Sequence, residues 1–144
     1  MNQHTPNPVT ILVADDEPDI VALIARRLVK VGYRVITAAN GGEALERAQR
    51  ELPDAAVLDV MMPLLTGIEV SRRLRAMPAT RDIPVILISA GLPDKLVVPA
   101  DADAFISKPF GPTEIPLMVR AVLARSGRPA DGIFQQPSVS GSVE

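Results

Sequence analysis

The chain has 144 residues, 47% of them apolar and 22% charged, with a formal net charge of −2. That balance suits one domain with short tails and a buried core, and it supplies no basic footprint for nucleic acid or an anionic membrane. The absence of cysteine excludes disulfides, thiolate nucleophiles and Cys-type zinc sites.

The one histidine, His4, lies in a polar leader and argues against a His-based metal site or triad. No run reaches the roughly 18 apolar residues of a membrane span. The start, MNQHTPNP, has neither the basic beginning nor the apolar centre of a signal peptide. A cytoplasmic protein without membrane contact is expected.

Residues 1–8 read as a flexible leader. TILVA at 10–14 is a short apolar run, as in a buried parallel strand. Residues 19–31 carry Ile20, Leu23, Ile24, Leu28 and Val31 at helical steps, with Arg26, Arg27 and Lys30 on the other face; Gly32 stops that helix. Residues 34–38 are strand-like, Asn40-Gly41-Gly42 a turn, and 43–51 a short helix with Ala44, Leu45 and Ala48 inward. Pro53 precedes a third strand at 55–60. A loop with Pro63 and Gly67 leads into an arginine-rich helix at about 68–76, and a fourth strand follows at 85–89.

Between that strand and a short one at 104–107, Pro93 and Pro99 interrupt the chain. A proline inside a helix costs ~3 kcal/mol, which leaves residues 94–98 at most. The fourth helix is therefore expected to be short or missing, a loop or a single turn. The last helix should start near Thr113, whose hydroxyl would cap it, with Pro116 at the tolerant third position. It should end near 125–127, and residues 127–144 have the composition of a disordered tail. Alternating strands and helices argue for βαβ units. The expected fold is doubly wound α/β, a parallel sheet with helices on both faces, in one domain over 9–126.

The chemistry sits at strand ends. The first strand runs into Asp15 and Asp16, the third into Asp59, the fourth into Ser89 and the fifth into Lys108. Open α/β sheets place ligand sites at that carboxyl edge, near the topological switch point. Adjacent carboxylates repel unless a counter-ion joins them, and hard divalent cations take oxygen ligands. Asp15 and Asp16 by themselves could simply start a helix at its favourable dipole end. Asp59 could be a metal ligand, a buried acid or a nucleophile, since carboxylates accept phosphoryl groups. Ser89 and Lys108 taken singly read as a strand-end serine and a surface lysine. Together the residues describe a divalent-cation site beside a phosphate-accepting aspartate.

Residues 8 to about 126 resemble the receiver domain of two-component response regulators. The motifs that carry this are VADDEPDI, LDVMMPLLTG, ILISA and FISKPF, in that order over most of the chain. The resemblance implies a flavodoxin-like five-stranded sheet in the order 2-1-3-4-5. It implies Asp59 as phosphoacceptor, Asp15 and Asp16 as acids for Mg²⁺ (or Mn²⁺), and a metal contact from the Met61 backbone carbonyl. It further implies Ser89 and Phe105 as a switch pair, Lys108 as the phosphate-contacting lysine, and a cis bond before Pro109. The phosphodonor would be a histidine kinase or histidine phosphotransfer protein, and the output an unknown downstream protein, with no separate substrate turned over.

Residues 91–103 depart from the family pattern, so no standard dimer mode carries over. The tail is too short for a DNA-binding module, which points to a stand-alone receiver without direct nucleic-acid contact. Two other readings stay open at this point. One is a receiver-shaped binding module not switched by phosphate. The other is a Mg²⁺-dependent phosphatase, whose usual Asp-x-Asp is here Asp15-Asp16-Glu17.

Overall fold

The computed structural model describes residues 8–90 and 102–126. Its strands are β1 (Thr10–Ala14), β2 (Arg34–Ala38), β3 (Ala55–Asp59), β4 (Val85–Ser89) and β5 (Ala104–Ser107). Every residue of β1, β3 and β4 is buried, whereas β2 and β5 expose part of theirs. That contrast marks β2 and β5 as edges, and the pairing agrees: all pairs are parallel, in the order β2-β1-β3-β4-β5. The register sets Val13 opposite Val57, Leu58 opposite Leu87, and Ser89 opposite Ser107.

Four helices lie among the described residues: α1 (Pro18–Lys30), α2 (Gly41–Glu51), α3 (Gly67–Ala76) and α4 (Glu114–Arg125). Side chains alternate across a strand, and β1 divides accordingly. Ile11 and Val13 pack with Ile24 and Leu28 of α1 and with Val119 and Leu123 of α4. Leu12 and Ala14 pack with Ala44 and Ala48 of α2 and with Val70 and Leu74 of α3. The sheet is thus covered on both faces, as a doubly wound fold requires.

The start of α2 and the cap of α4 differ from the sequence reading. The turn at Asn40-Gly41-Gly42 is already the start of α2. The Asn40 side chain accepts from the Glu43 amide at 2.7 Å, and the Glu43 carboxylate accepts from the Ala39 amide at 2.8 Å. α3 begins at Gly67, under a capping box between Thr66 and Glu69. Thr113 does precede α4, but its hydroxyl makes no capping bond. Its backbone is already helical (φ −106°, ψ −4°) rather than extended as a capping residue needs. The Glu114 carboxylate instead takes the Gly111 amide at 3.1 Å. Pro116 stands third in the helix, as expected.

The expected helical remnant at 94–98, the tail from 127 and the leader through residue 7 lie outside the described residues. At the start of β5, Asp103 ties three elements together. Its amide donates to the Val85 carbonyl at 2.8 Å. Its Oδ2 accepts from the Val85 amide at 2.8 Å and from Arg75 of α3 at 2.9 Å.

Candidate functional site: an acidic pocket at the carboxyl edge

Strand order reverses between β1 and β3, and the first three acids stand at their carboxyl ends. Asp15 is 1% exposed. Its Oδ1 accepts from the Glu17 amide at 3.0 Å, its Oδ2 accepts from Lys108 Nζ at 3.0 Å, and its own amide donates to the Ala38 carbonyl at 3.2 Å. Asp59 is also buried, with Oδ1 3.4 Å from Lys108 Nζ. Asp16 is exposed. One carboxylate oxygen from each of Asp15, Asp16 and Asp59 lies within 4.8 Å of the others.

Glycine brings these ends together. A Cβ on Gly67 would lie 2.4 Å from the Asp59 carbonyl oxygen, and one on Gly41 would lie 1.9 Å from the Leu65 carbonyl oxygen. The loop after β3 is therefore seated on the first turn of α2, where the Gly41 amide also donates to the Pro63 carbonyl.

The electrostatics follow from the packing. Burial first, and then the charge of Asp15, push the Asp59 carboxyl up to about 6, with Asp16 adding to the rise and Lys108 opposing it. For Lys108, burial disfavours the ammonium, but its hydrogen bond to Asp15 and the charges of Asp59 and Asp15 prevail. Its pKa is raised above the usual lysine range. Three hard carboxylate donors sharing one ammonium are an under-neutralised set, and that is the donor chemistry a divalent cation fits.

Ser89 and Lys108 also reach this edge. Ser89 is buried, and its hydroxyl donates to the Ala90 carbonyl at 3.0 Å. Phe105 stands half-buried on β5 against the core formed with α2 and α3. The Lys108–Pro109 peptide bond is cis. Met61 projects a side chain that is 65% exposed. The sequence reading missed Glu17, whose Oε1 lies 3.5 Å from Lys108 Nζ. Glu17 stands at the α1 N-cap, where its side chain makes no capping bond and is left for other partners. A groove of about 320 Å³ between α1 and the end of β2 opens onto Asp15 and Asp16.

The parallel sheet, the switch-point acids and the lysine that follows β5 define a receiver-type signalling domain. The model of the response regulator receiver domain matches residues 11–120, and the chain belongs to that family. It is 44% identical over 119 residues to the alkaline phosphatase synthesis transcriptional regulatory protein PhoP of Bacillus subtilis, covering 81% of this chain and 49% of that one. It is 42% identical over 123 residues to the transcriptional regulatory protein PrrA of Mycobacterium tuberculosis, with 83% and 52% covered. The chain thus spans about half the length of the curated relatives it matches. Among solved structures it is similar to response regulator TrrA of Thermotoga maritima in complex with Mg²⁺–BeF. There the identity is 32% and the TM-score 0.69, over 79% of this chain and 98% of that one.

Proposed function

We propose that Asp59 accepts a phosphoryl group from a phosphohistidine on a histidine kinase or histidine phosphotransfer protein, and that this switches a protein–protein interaction surface. The supporting observation is the buried Asp59 carboxylate at the end of β3, beside a Lys108 ammonium that it shares with Asp15. A carboxylate oxygen of Asp59 attacks phosphorus and forms an acyl phosphate as the phosphorus–nitrogen bond breaks. The imidazole leaves with the bonding pair and takes up a proton.

Asp15, Asp16, Asp59 and the Met61 backbone carbonyl would hold Mg²⁺ (or Mn²⁺), which supplies neutralising charge at the phosphoryl oxygens when bound. Lys108, 3.4 Å from Asp59, offers its ammonium to the new phosphoryl oxygens. The Ser89 hydroxyl leaves the Ala90 carbonyl for the same group, and Phe105 moves into the space vacated: a local charge change biases a packing element with two arrangements. On this reading the chain catalyses its own phosphorylation and dephosphorylation and turns over no separate substrate. It acts in the cytoplasm through protein contacts, without direct nucleic-acid or membrane binding.

Incubation with acetyl phosphate and Mg²⁺, followed by intact-mass measurement, tests the proposal. One added phosphoryl group is expected on the wild type and none on Asp59→Ala. An unmodified wild type, or equal labelling of the variant, would leave a receiver-shaped binding module instead.

A further inference from the structure

We infer that Met61 and Leu64 anchor the docking surface for the phosphoryl donor, and that this surface fits a protein face whose apolar residues are bordered by lysine or arginine. The inference rests on the phosphoryl-accepting reading above and specifies its partner.

Among the described residues, Leu64 (78%) and Met61 (65%) are the most exposed large apolar side chains. Both belong to the loop that leaves β3 immediately after Asp59. The Leu64 backbone is left-handed, with φ 74°, a conformation that favours glycine. Its side chain leans over the start of α2, where a Cβ on Gly42 would come within 3.3 Å of it. The fold bears a strained backbone here and gains little burial in return. A partner that covers the side chain would recover the apolar contribution.

Charge around the patch selects the partner. Each of the four described helices begins at this edge with an acid in its first turn: Asp19, Glu43, Glu69 and Glu114. Each ends far from it with a base, as at Lys30, Arg50, Arg75 and Arg125. The helix dipole accounts for each acid separately. In a parallel sheet their fields add at one edge, where Asp16 and Glu17 are also exposed and Lys108 is enclosed by carboxylates. An acidic donor face is repelled there. A basic one is steered, an effect worth about 10- to 1000-fold in association rate at low salt.

Two helical peptides serve as the probe. They share length and apolar residues, and each carries one central histidine phosphorylated with phosphoramidate. One borders that histidine with lysines, the other with glutamates. Binding of the unphosphorylated forms is read by fluorescence anisotropy, and transfer from the phosphorylated forms by mass, on the full chain with Mg²⁺.

The lysine peptide is expected to bind and transfer about tenfold better at low salt, with the gap closing at high salt. Asp19→Asn, Glu43→Gln and Glu69→Gln combined keep the acceptor oxygens of Glu43 and Glu69 and should remove most of that salt dependence. Leu64→Ser should weaken the lysine peptide by about fivefold with the salt dependence unchanged. Leu64→Gly relieves the left-handed strain, so it should melt no lower than wild type yet bind as poorly as Leu64→Ser. Equal behaviour of the two peptides, a preference for glutamates, or full binding by Leu64→Gly would overturn the inference. Labelling by acetyl phosphate separates the two claims. A labelled Asp59 without peptide preference removes only the docking surface, and a peptide preference without labelling removes only the phosphoryl acceptor.

Discussion

Asp59 is placed where an ordinary carboxyl group would not choose to ionise. Its pKa is raised to about 6 by burial and by Asp15, so the folded state holds its proton more tightly than the unfolded chain does. The sign follows by linkage. The contribution of Asp59 to stability is fully present below about pH 3.8 and is lost as pH rises through about 6. In chelator at pH 7.5, Asp59→Asn is therefore expected to stabilise the protein by roughly 1–3 kcal/mol, one pKa unit being worth about 1.4 kcal/mol. Urea unfolding from pH 4 to 8 checks this, and a variant with the same pH slope as wild type contradicts it. Lys108→Gln has the opposite tendency at the same place. With its ammonium gone, the Asp59 carboxyl should titrate at still higher pH, read from carboxyl carbon chemical shifts. No upward movement would mean that the 3.4 Å pair does not compensate Asp59.

At the scale of elements, the closest tolerance is between β3 and α3. Alanine has the higher helix propensity, yet Gly67→Ala sets a Cβ 2.4 Å from the Asp59 carbonyl oxygen. The expected result is destabilisation of about 1–3 kcal/mol, as for other overpacked sites, with a lowered melting temperature. An unchanged or raised melting temperature would refute the clash. Asp103→Ala should cost about 1–3 kcal/mol by leaving the Val85 amide without its side-chain acceptor and Arg75 without its carboxylate partner. It should also raise amide exchange in β5 more than in β1.

These tolerances also mark what the sequence could and could not tell. Asp15, Asp16, Asp59, Ser89 and Lys108 were readable because each ends a strand-like apolar run, and parallel strands bring such ends to one edge. The start of α2 was not, because Gly41 serves a close approach to the Leu65 backbone, more than twenty residues away. The Thr113 hydroxyl was misassigned because capping depends on backbone angles that composition does not encode. Glu17 went unnoticed because its reach to Lys108 is a matter of side-chain direction.

For the whole molecule, cation binding and folding are linked. A ligand that binds only the folded state adds about 2.7 kcal/mol when present at a hundred times its Kd. Mg²⁺ is thus expected to raise the melting temperature of the wild type in proportion to the logarithm of its concentration, and to do so far less for Asp59→Asn. Equal shifts would place the cation elsewhere.

The absent side chain at Gly67 has a mechanical meaning as well. Backbone rests on backbone between the end of β3 and the first turn of α3, so the joint has no clearance and no compliant spacer. A ten-residue helix is about 15 Å long, so a tilt of about 4° at that joint carries its far end about 1 Å. Any tilt of that helix would turn about the main chain of Asp59, where the contact is closest.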